Sequence, residues 1–195
     1  MGKYHFFAML SRMKDINRWG LMRNTRKEDL CTHSFETAVI AHALAVLRNT
    51  RFGGHADAER AALLALFHDS TEIITGDMPT PVKYYSPKIR SAYREVESAA
   101  REKLLGLLPE DLRPAYSPLL GDPLPSDEEL LPLVKAADKL SAVIKCVEEK
   151  RMGNREFESA EATLRRSVEE MHLPEVDCFV KEFLPSYSLT LDEQE

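Results

Sequence analysis

Ala61-Ala62-Leu63-Leu64-Ala65-Leu66-Phe67-His68-Asp69-Ser70-Thr71-Glu72 is the stretch on which the reading of this chain turns. Residues 61–67 are apolar without interruption, the pattern of a central, buried helix. Three ionisable side chains follow at once. On a helix, Glu72 lies one turn from both His68 and Asp69. Such groups at the end of a buried helix are costly unless something satisfies them, and a divalent cation does so because it binds neutral imidazole and carboxylate together. The competing reading is an ordinary last turn, with His68 near the negative end of the helix dipole and the carboxylates solvated. On this motif alone both readings stand.

Working outward, the periodicity is helical almost throughout. The helix that holds the motif is expected over Asp57 to Thr75, ended by Gly76 and the Pro79-Thr80-Pro81 loop. Upstream, Phe6, Leu10, Met13 and Asn17 predict an amphipathic helix over residues 3–18. Phe35, Ala38, Val39, His42 and Val46 predict a second buried stripe, with Thr32 as N-cap and His42 as a core histidine. Downstream, a helix is expected after Pro87 through Ile89, Ala92, Tyr93, Val96, Ala100, Leu104 and Leu107. The prolines between Pro109 and Pro125 limit that segment to loop and short turns. Ser126-Asp127-Glu128-Glu129 fits a capping box opening a long helix that ends near Gly153. Glu156 to Met171 and Glu175 to Leu184 complete the set, with a loosely held tail from Ser186. Strand patterns are nearly absent. The expectation is an all-α fold, one domain over residues 1–195.

Composition bounds the function. With 195 residues, 44% hydrophobic and 30% charged, the chain can bury a full core. A net charge of -6 argues against a nucleic-acid polymer or an anionic membrane as main partner. Cys31, Cys146 and Cys178 are an odd set with no C-x-x-C pair, which points to a reducing compartment. No apolar run is expected to approach the ~20 residues of a bilayer span. The charged N-terminus lacks a signal-peptide pattern, and Phe6 in the position of a Ser or Thr does not support myristoylation at Gly2. A cytoplasmic protein is expected.

Asp138 strengthens the metal reading. It shares a helix face with Leu131, Val134, Ser141 and Ala142 and is flanked by Ala136-Ala137 and Leu140. A carboxylate in an apolar stripe is seldom left buried and unpaired. Lys135 and Lys139 are the alternative partners, although both can snorkel to solvent. His33 follows the polar run Glu28-Asp29-Leu30-Cys31-Thr32, where an isolated histidine is usually a surface or capping residue.

His33, then His68-Asp69, then Asp138 has the order of the HD-domain metal-dependent phosphohydrolases. More closely, the chain resembles the bacterial 5′-deoxynucleotidases of that superfamily. The matching words are His5-Phe6-Phe7-Ala8, Ile16-Asn17-Arg18-Trp19, His33-Ser34, His42-Ala43-Leu44, His68 to Glu72, Thr75 to Tyr84, Lys135-Ala136-Ala137-Asp138, Lys145 to Glu149 and Pro185-Ser186-Tyr187. The resemblance covers nearly the whole chain. It implies an HD-domain helical bundle, a homodimer, and hydrolysis of deoxyribonucleoside 5′-monophosphates with one divalent ion, cobalt or manganese. Carried over by position, it implies His33, His68, Asp69 and Asp138 as metal ligands and Glu72 as the proton-handling catalytic residue. Arg18 is implied as catalytic and phosphate-orienting. Trp19, His33, Asp77, Met78, Pro79 and Thr80 are implied at the substrate.

The residue types suit such chemistry. The planar fork of Arg18 matches two phosphate oxygens. A flat indole at Trp19 against the sugar leaves no room for a 2′-hydroxyl, and Asp77 can accept a hydrogen bond from a 3′-hydroxyl. The competing roles are a helix-end cation for Arg18, a half-buried packing residue for Trp19 and local turn chemistry for Asp77. Two positions depart from the family pattern: Thr32 stands where Glu is usual, and Met78 where Leu is usual. An alternative substrate is an alarmone or a nucleoside triphosphate. A second alternative is a helical interaction module with a structural metal.

Overall fold

The structure is a computed structural model that describes residues 3–83 and 85–195. Tyr84, the last residue of the Thr75–Tyr84 word, and Met1-Gly2 lie outside the described residues. The helices are α1 (Phe6–Leu10), α2 (Leu30–Arg51), α3 (Ala58–Phe67), α4 (Glu72–Thr75), α5 (Thr80–Lys83), α6 (Pro87–Leu105), α7 (Arg113–Tyr116), α8 (Leu131–Arg151), α9 (Glu158–Glu169) and α10 (Pro174–Glu182). Short 3-10 turns join several of them. Among the described residues the only strand-like pairing is one isolated antiparallel bridge, Asn17 with Asp29. The all-α expectation holds.

The chain forms two compact units. The first takes in the N-terminal residues to Leu21, Lys27–Ser34 and Phe67–Ser126. Its core gathers Phe6, Leu104, Leu105, Leu108 and Leu120, with Phe67, Ile74 and Tyr116 packed against them. A smaller cluster joins Met13, Leu30 and Ile73. α6 starts where Ser86 accepts a hydrogen bond from the Ile89 amide at 3.2 Å and Pro87 fills the first turn.

The second unit comprises Met22–Arg26, Phe35–Leu66 and Asp127–Glu195. Ile40, Ala41, Leu44 and Ala45 of α2 are buried there, as are Leu133, Ala137, Leu140 and Ile144 of α8. Gly153, at φ +83°, turns the chain out of α8 in the left-handed region that favours glycine. Glu149, fully buried, pairs with Lys145 and accepts from the amides of Thr25 (2.9 Å) and Arg26 (3.1 Å) and from Asn154 Nδ2 (2.7 Å).

Several expectations are corrected. The N-terminal helix stops at Leu10 and tightens to a 3-10 turn over Ser11–Asp15, and Asn17 enters the bridge. The stripe Phe35, Val39, His42 and Val46 faces solvent, so His42 is not a core histidine. The buried face of α2 runs instead through His33, Ser34, Thr37, Ile40, Ala41 and Leu44. Asp29, not Thr32, caps α2: its Oδ1 accepts from the Thr32 amide at 2.8 Å. The expected helix over 57–75 breaks after Phe67 and resumes at Glu72. Ser126 opens no helix; α8 begins at Leu131, and Asp127 is taken by the Arg60 guanidinium at 2.8 and 2.7 Å. Of the α6 stripe, Tyr93, Ala100 and Leu104 are buried, whereas Ile89 and Val96 are exposed. Within the tail from Ser186, most of whose residues are exposed, Glu193 accepts from the Thr190 amide at 2.7 Å and Gln194 donates to the Ser186 carbonyl at 3.0 Å. Finally, α2 is long and apolar enough by length and composition to cross a membrane, at 22 residues and mean hydropathy 1.4. Half of the apolar window is buried inside the protein, as a core helix would have it.

Candidate active site

The break after α3 gives the His68–Glu72 motif its geometry. Ser70 N–H donates to the Phe67 carbonyl at 3.0 Å and Glu72 N–H to the Asp69 carbonyl at 2.9 Å, so the segment is a tight turn between two helices. His33 sits in the first turns of α2 with no solvent exposure. Its Nε2 lies 3.5 Å from Asp69 Oδ2, and His68 Nε2 lies 3.1 Å from the same oxygen. The two imidazole centroids are 5.3 Å apart. Asp138, the other residue the sequence implies at the metal, lies on α8 in the second unit. Burial resists the charge on Asp69, yet His68, His33 and Arg18 around it hold its carboxyl far below the ordinary carboxylate range.

Glu72 behaves in the opposite way. It is 7% exposed, and its Oε2 is buried with no hydrogen-bond partner. Burial, and then the negative charges of Asp69 and Asp77, push it up to about 8 against the opposing pull of Arg18 and Lys83. Lys83 is held by Glu97 at 2.8 Å and lies 4.6 Å over the Tyr93 ring, whose hydroxyl is 3.4 Å from Thr75 Oγ1.

The segment before α2 supplies the rest. Arg18 Nη1 donates to Asp69 Oδ2 at 3.2 Å and its Nε to Glu28 Oε2 at 3.3 Å. Trp19 Nε1 donates to that same Glu28 oxygen at 2.6 Å. The Trp19 amide donates to Asp77 Oδ2 at 3.2 Å, which draws the Gly76–Pro79 segment into the cluster. Met78 and Pro79 on that segment are half-buried and Thr80 is exposed. Trp19 has φ +58°, a left-handed conformation rare for a bulky residue.

Arg18, Trp19, His33, His68, Asp69, Glu72 and Asp77 are thus neighbours although up to 59 positions separate them in sequence. The motif reading did not single out Glu28. The available signal was a carboxylate in the polar run just before His33, but no spacing rule connects it to Arg18 and Trp19. Two imidazoles with an anionic carboxylate between them make a donor set suited to a divalent cation. The unsatisfied buried oxygen of Glu72 adds an acceptor for a proton or a bound molecule.

Comparison with known proteins gives the family. The family described as 5′-deoxynucleotidase YfbR-like matches residues 5–187. A 5′-deoxynucleotidase of Photorhabdus laumondii is 50% identical over 189 residues, which span 97% of this chain and 95% of that protein. The 5′-deoxynucleotidase YfbR of Escherichia coli is 49% identical over 193 residues, 99% of this chain and 96% of that one. Among solved structures, an HD-domain phosphohydrolase from Listeria innocua has a TM-score of 0.80 at 24% identity, covering 94% of this chain and 88% of its own. The cyanophage S-2L HD phosphohydrolase, bound to dA and one catalytic Zn2+ ion, has a TM-score of 0.62 at 21% identity, covering 94% and 96%. These two likenesses concern the fold. The sequence match, half of all residues shared along nearly the full length, makes this chain a member of the YfbR-like 5′-deoxynucleotidase family of HD-domain fold.

Proposed function

We propose that the chain hydrolyses deoxyribonucleoside 5′-monophosphates to deoxynucleoside and phosphate. The observation that carries this reading is the Asp69 carboxylate, which accepts from Arg18 and lies against both His33 and His68 in a family of 5′-deoxynucleotidases. His33, His68, Asp69 and Asp138 would hold one divalent ion, cobalt or manganese. Such an ion supplies a Lewis acid for the phosphate and lowers the pKa of a water from 15.7 toward ~7.

The chain's own residues do the rest. Arg18 is aimed by Asp69 and Glu28 and presents its guanidinium to the phosphate oxygens. Glu72 is buried and raised to about 8, so near neutral pH it both holds and releases a proton, toward the leaving 5′-oxygen or from the attacking water. The Trp19 indole closes the space beside the sugar, and Asp77 accepts from the 3′-hydroxyl. Met78, Pro79 and Thr80 extend that wall. Alarmones and triphosphates need surplus cations, whereas Arg18 and Lys83 already face Glu28, Asp69 and Glu97. A monophosphate therefore fits best.

We assign the chain to the cytoplasm as a homodimer over one HD-type domain, residues 1–195. The exposed stripe Phe35, Val39 and Val46 on α2 supports a second copy as partner. Phe35→Glu with Val39→Glu would then yield a monomer by light scattering. If wild-type protein is itself monomeric, the assignment fails.

The activity is tested by product analysis (phosphate, pyrophosphate and triphosphate) after incubation of dAMP, dTMP, AMP, dATP and an alarmone with cobalt, manganese or magnesium. Release from dAMP and dTMP above the others supports the reading, and Asp69→Ala should lose both metal and turnover. Preferential turnover of the triphosphate or alarmone, or none at all, would overturn it.

A further inference from the structure

We infer that Glu28 is a positioning residue that sets the preference for deoxyribose by fixing the Trp19 ring and the Arg18 fork with one carboxylate oxygen. The inference rests on the reading above that Trp19 faces the sugar and Arg18 the phosphate. Glu28 is 7% exposed, and Oε2 receives both donors, Trp19 Nε1 at 2.6 Å and Arg18 Nε at 3.3 Å. A buried carboxylate that accepts from an indole and a guanidinium makes charge-assisted bonds with defined directions.

The backbone repeats the connection. The Arg18 amide donates to the Glu28 carbonyl at 2.9 Å, and the Leu30 amide donates to the Ile16 carbonyl at 3.0 Å. Residues 16–18 are therefore clipped to 28–30, directly before the turn that carries His33. Past the clip Trp19 enters the left-handed region, a conformation that persists only where the surroundings over-determine it. Asp77 holds its amide and Glu28 holds its ring. A ring held at both ends is a rigid wall, whereas a ring held only by its backbone can rotate about its side-chain torsions and admit a 2′-hydroxyl. The same oxygen leaves Arg18 Nη1 pointing at Asp69, so sugar discrimination and phosphate orientation share one anchor.

The test measures kcat/KM for dAMP and AMP in wild type, Glu28→Gln, Glu28→Ala, Trp19→Phe and the Glu28→Gln/Trp19→Phe double variant, all metal-loaded. Glu28→Ala should lower the dAMP-over-AMP ratio by about tenfold or more, the scale of one hydrogen bond to a charged group, with a smaller loss for Glu28→Gln. Trp19 is the only tryptophan, so its emission should shift in both Glu28 variants while metal content stays at the wild-type level. Phenylalanine has no indole N–H, so the Glu28→Gln effect on the ratio should largely vanish in the Trp19→Phe background. If Glu28→Ala does not fold, the near-isosteric Glu28→Gln decides. A deoxy preference within twofold of wild type in the folded Glu28 variants overturns this inference alone. A wild-type chain with no preference for dAMP over AMP overturns the underlying reading together with it.

Discussion

Two buried glutamates in this molecule carry opposite electrostatics. Glu149 in the second unit accepts from two backbone amides, Asn154 and Lys145, and falls to about 2 although burial pushes the other way. Glu72 in the first unit is nearly as enclosed, has an oxygen with no hydrogen-bond partner, faces Asp69 and Asp77, and rises to about 8. Burial is common to both; the donors are not. A carboxylate saturated with donors is locked as an anion and serves the fold, whereas one left short of donors keeps its proton available for chemistry.

The comparison can be broken most sharply at Glu72. Glu72→Ala should reduce phosphate release by about 10²–10⁴-fold, the usual worth of a positioned acid or base. Metal content by elemental analysis should remain that of wild type. Retained turnover would remove Glu72 from the proton path.

Glu149 should respond in stability and not in chemistry. Glu149→Ala leaves Lys145 buried without its counter-charge and should cost ~3–5 kcal/mol in denaturant melts. Its folded pKa, about 2, lies below the ordinary 4.5, so its contribution is complete above pH 4.5 and lost as pH falls toward 2. The gap in Tm between Glu149→Gln and wild type should accordingly be widest near neutral pH and close in acid. KM for dAMP in the folded fraction should not move.

The smallest effect is the mirror image. In metal-stripped protein the folded pKa of Glu72, about 8, lies above the ordinary 4.5, so stability is lost progressively as pH rises from 4.5 to 8 and stays lost above it. Glu72→Gln should therefore raise Tm at pH 8.5 and lose that advantage by about pH 4. An equal or lower Tm at pH 8.5 would show that this carboxylate is better solvated than its surroundings indicate.

Much of the fold could be read from the residues. The helical segments from Pro87 and toward Gly153 and the proline-limited turns before Asp127 come close to their observed places, because capping residues, glycine and proline act locally. Which face of α2 is buried could not be read. Both Phe35/Val39/Val46 and Ile40/Leu44/Leu47 satisfy a 3.6-residue period, and periodicity does not say which face meets a neighbour. The same ambiguity covers His42, which lies on the exposed face. Order and residue type point to His33, His68, Asp69 and Asp138 as one set; His33, His68 and Asp69 lie together in the first unit, and Asp138 lies on α8 of the second.

Local chemistry along the chain was enough to specify an all-helical protein with a histidine-and-aspartate motif, because propensity, capping and residue type are properties of neighbouring positions. Packing had to supply the break after Phe67, the left-handed backbone of Trp19 and the capture of Arg18 and Trp19 by Glu28. Those features depend on groups distant in sequence sharing one buried space. Their energies come from desolvation and long-range hydrogen bonds, and no spacing rule encodes either.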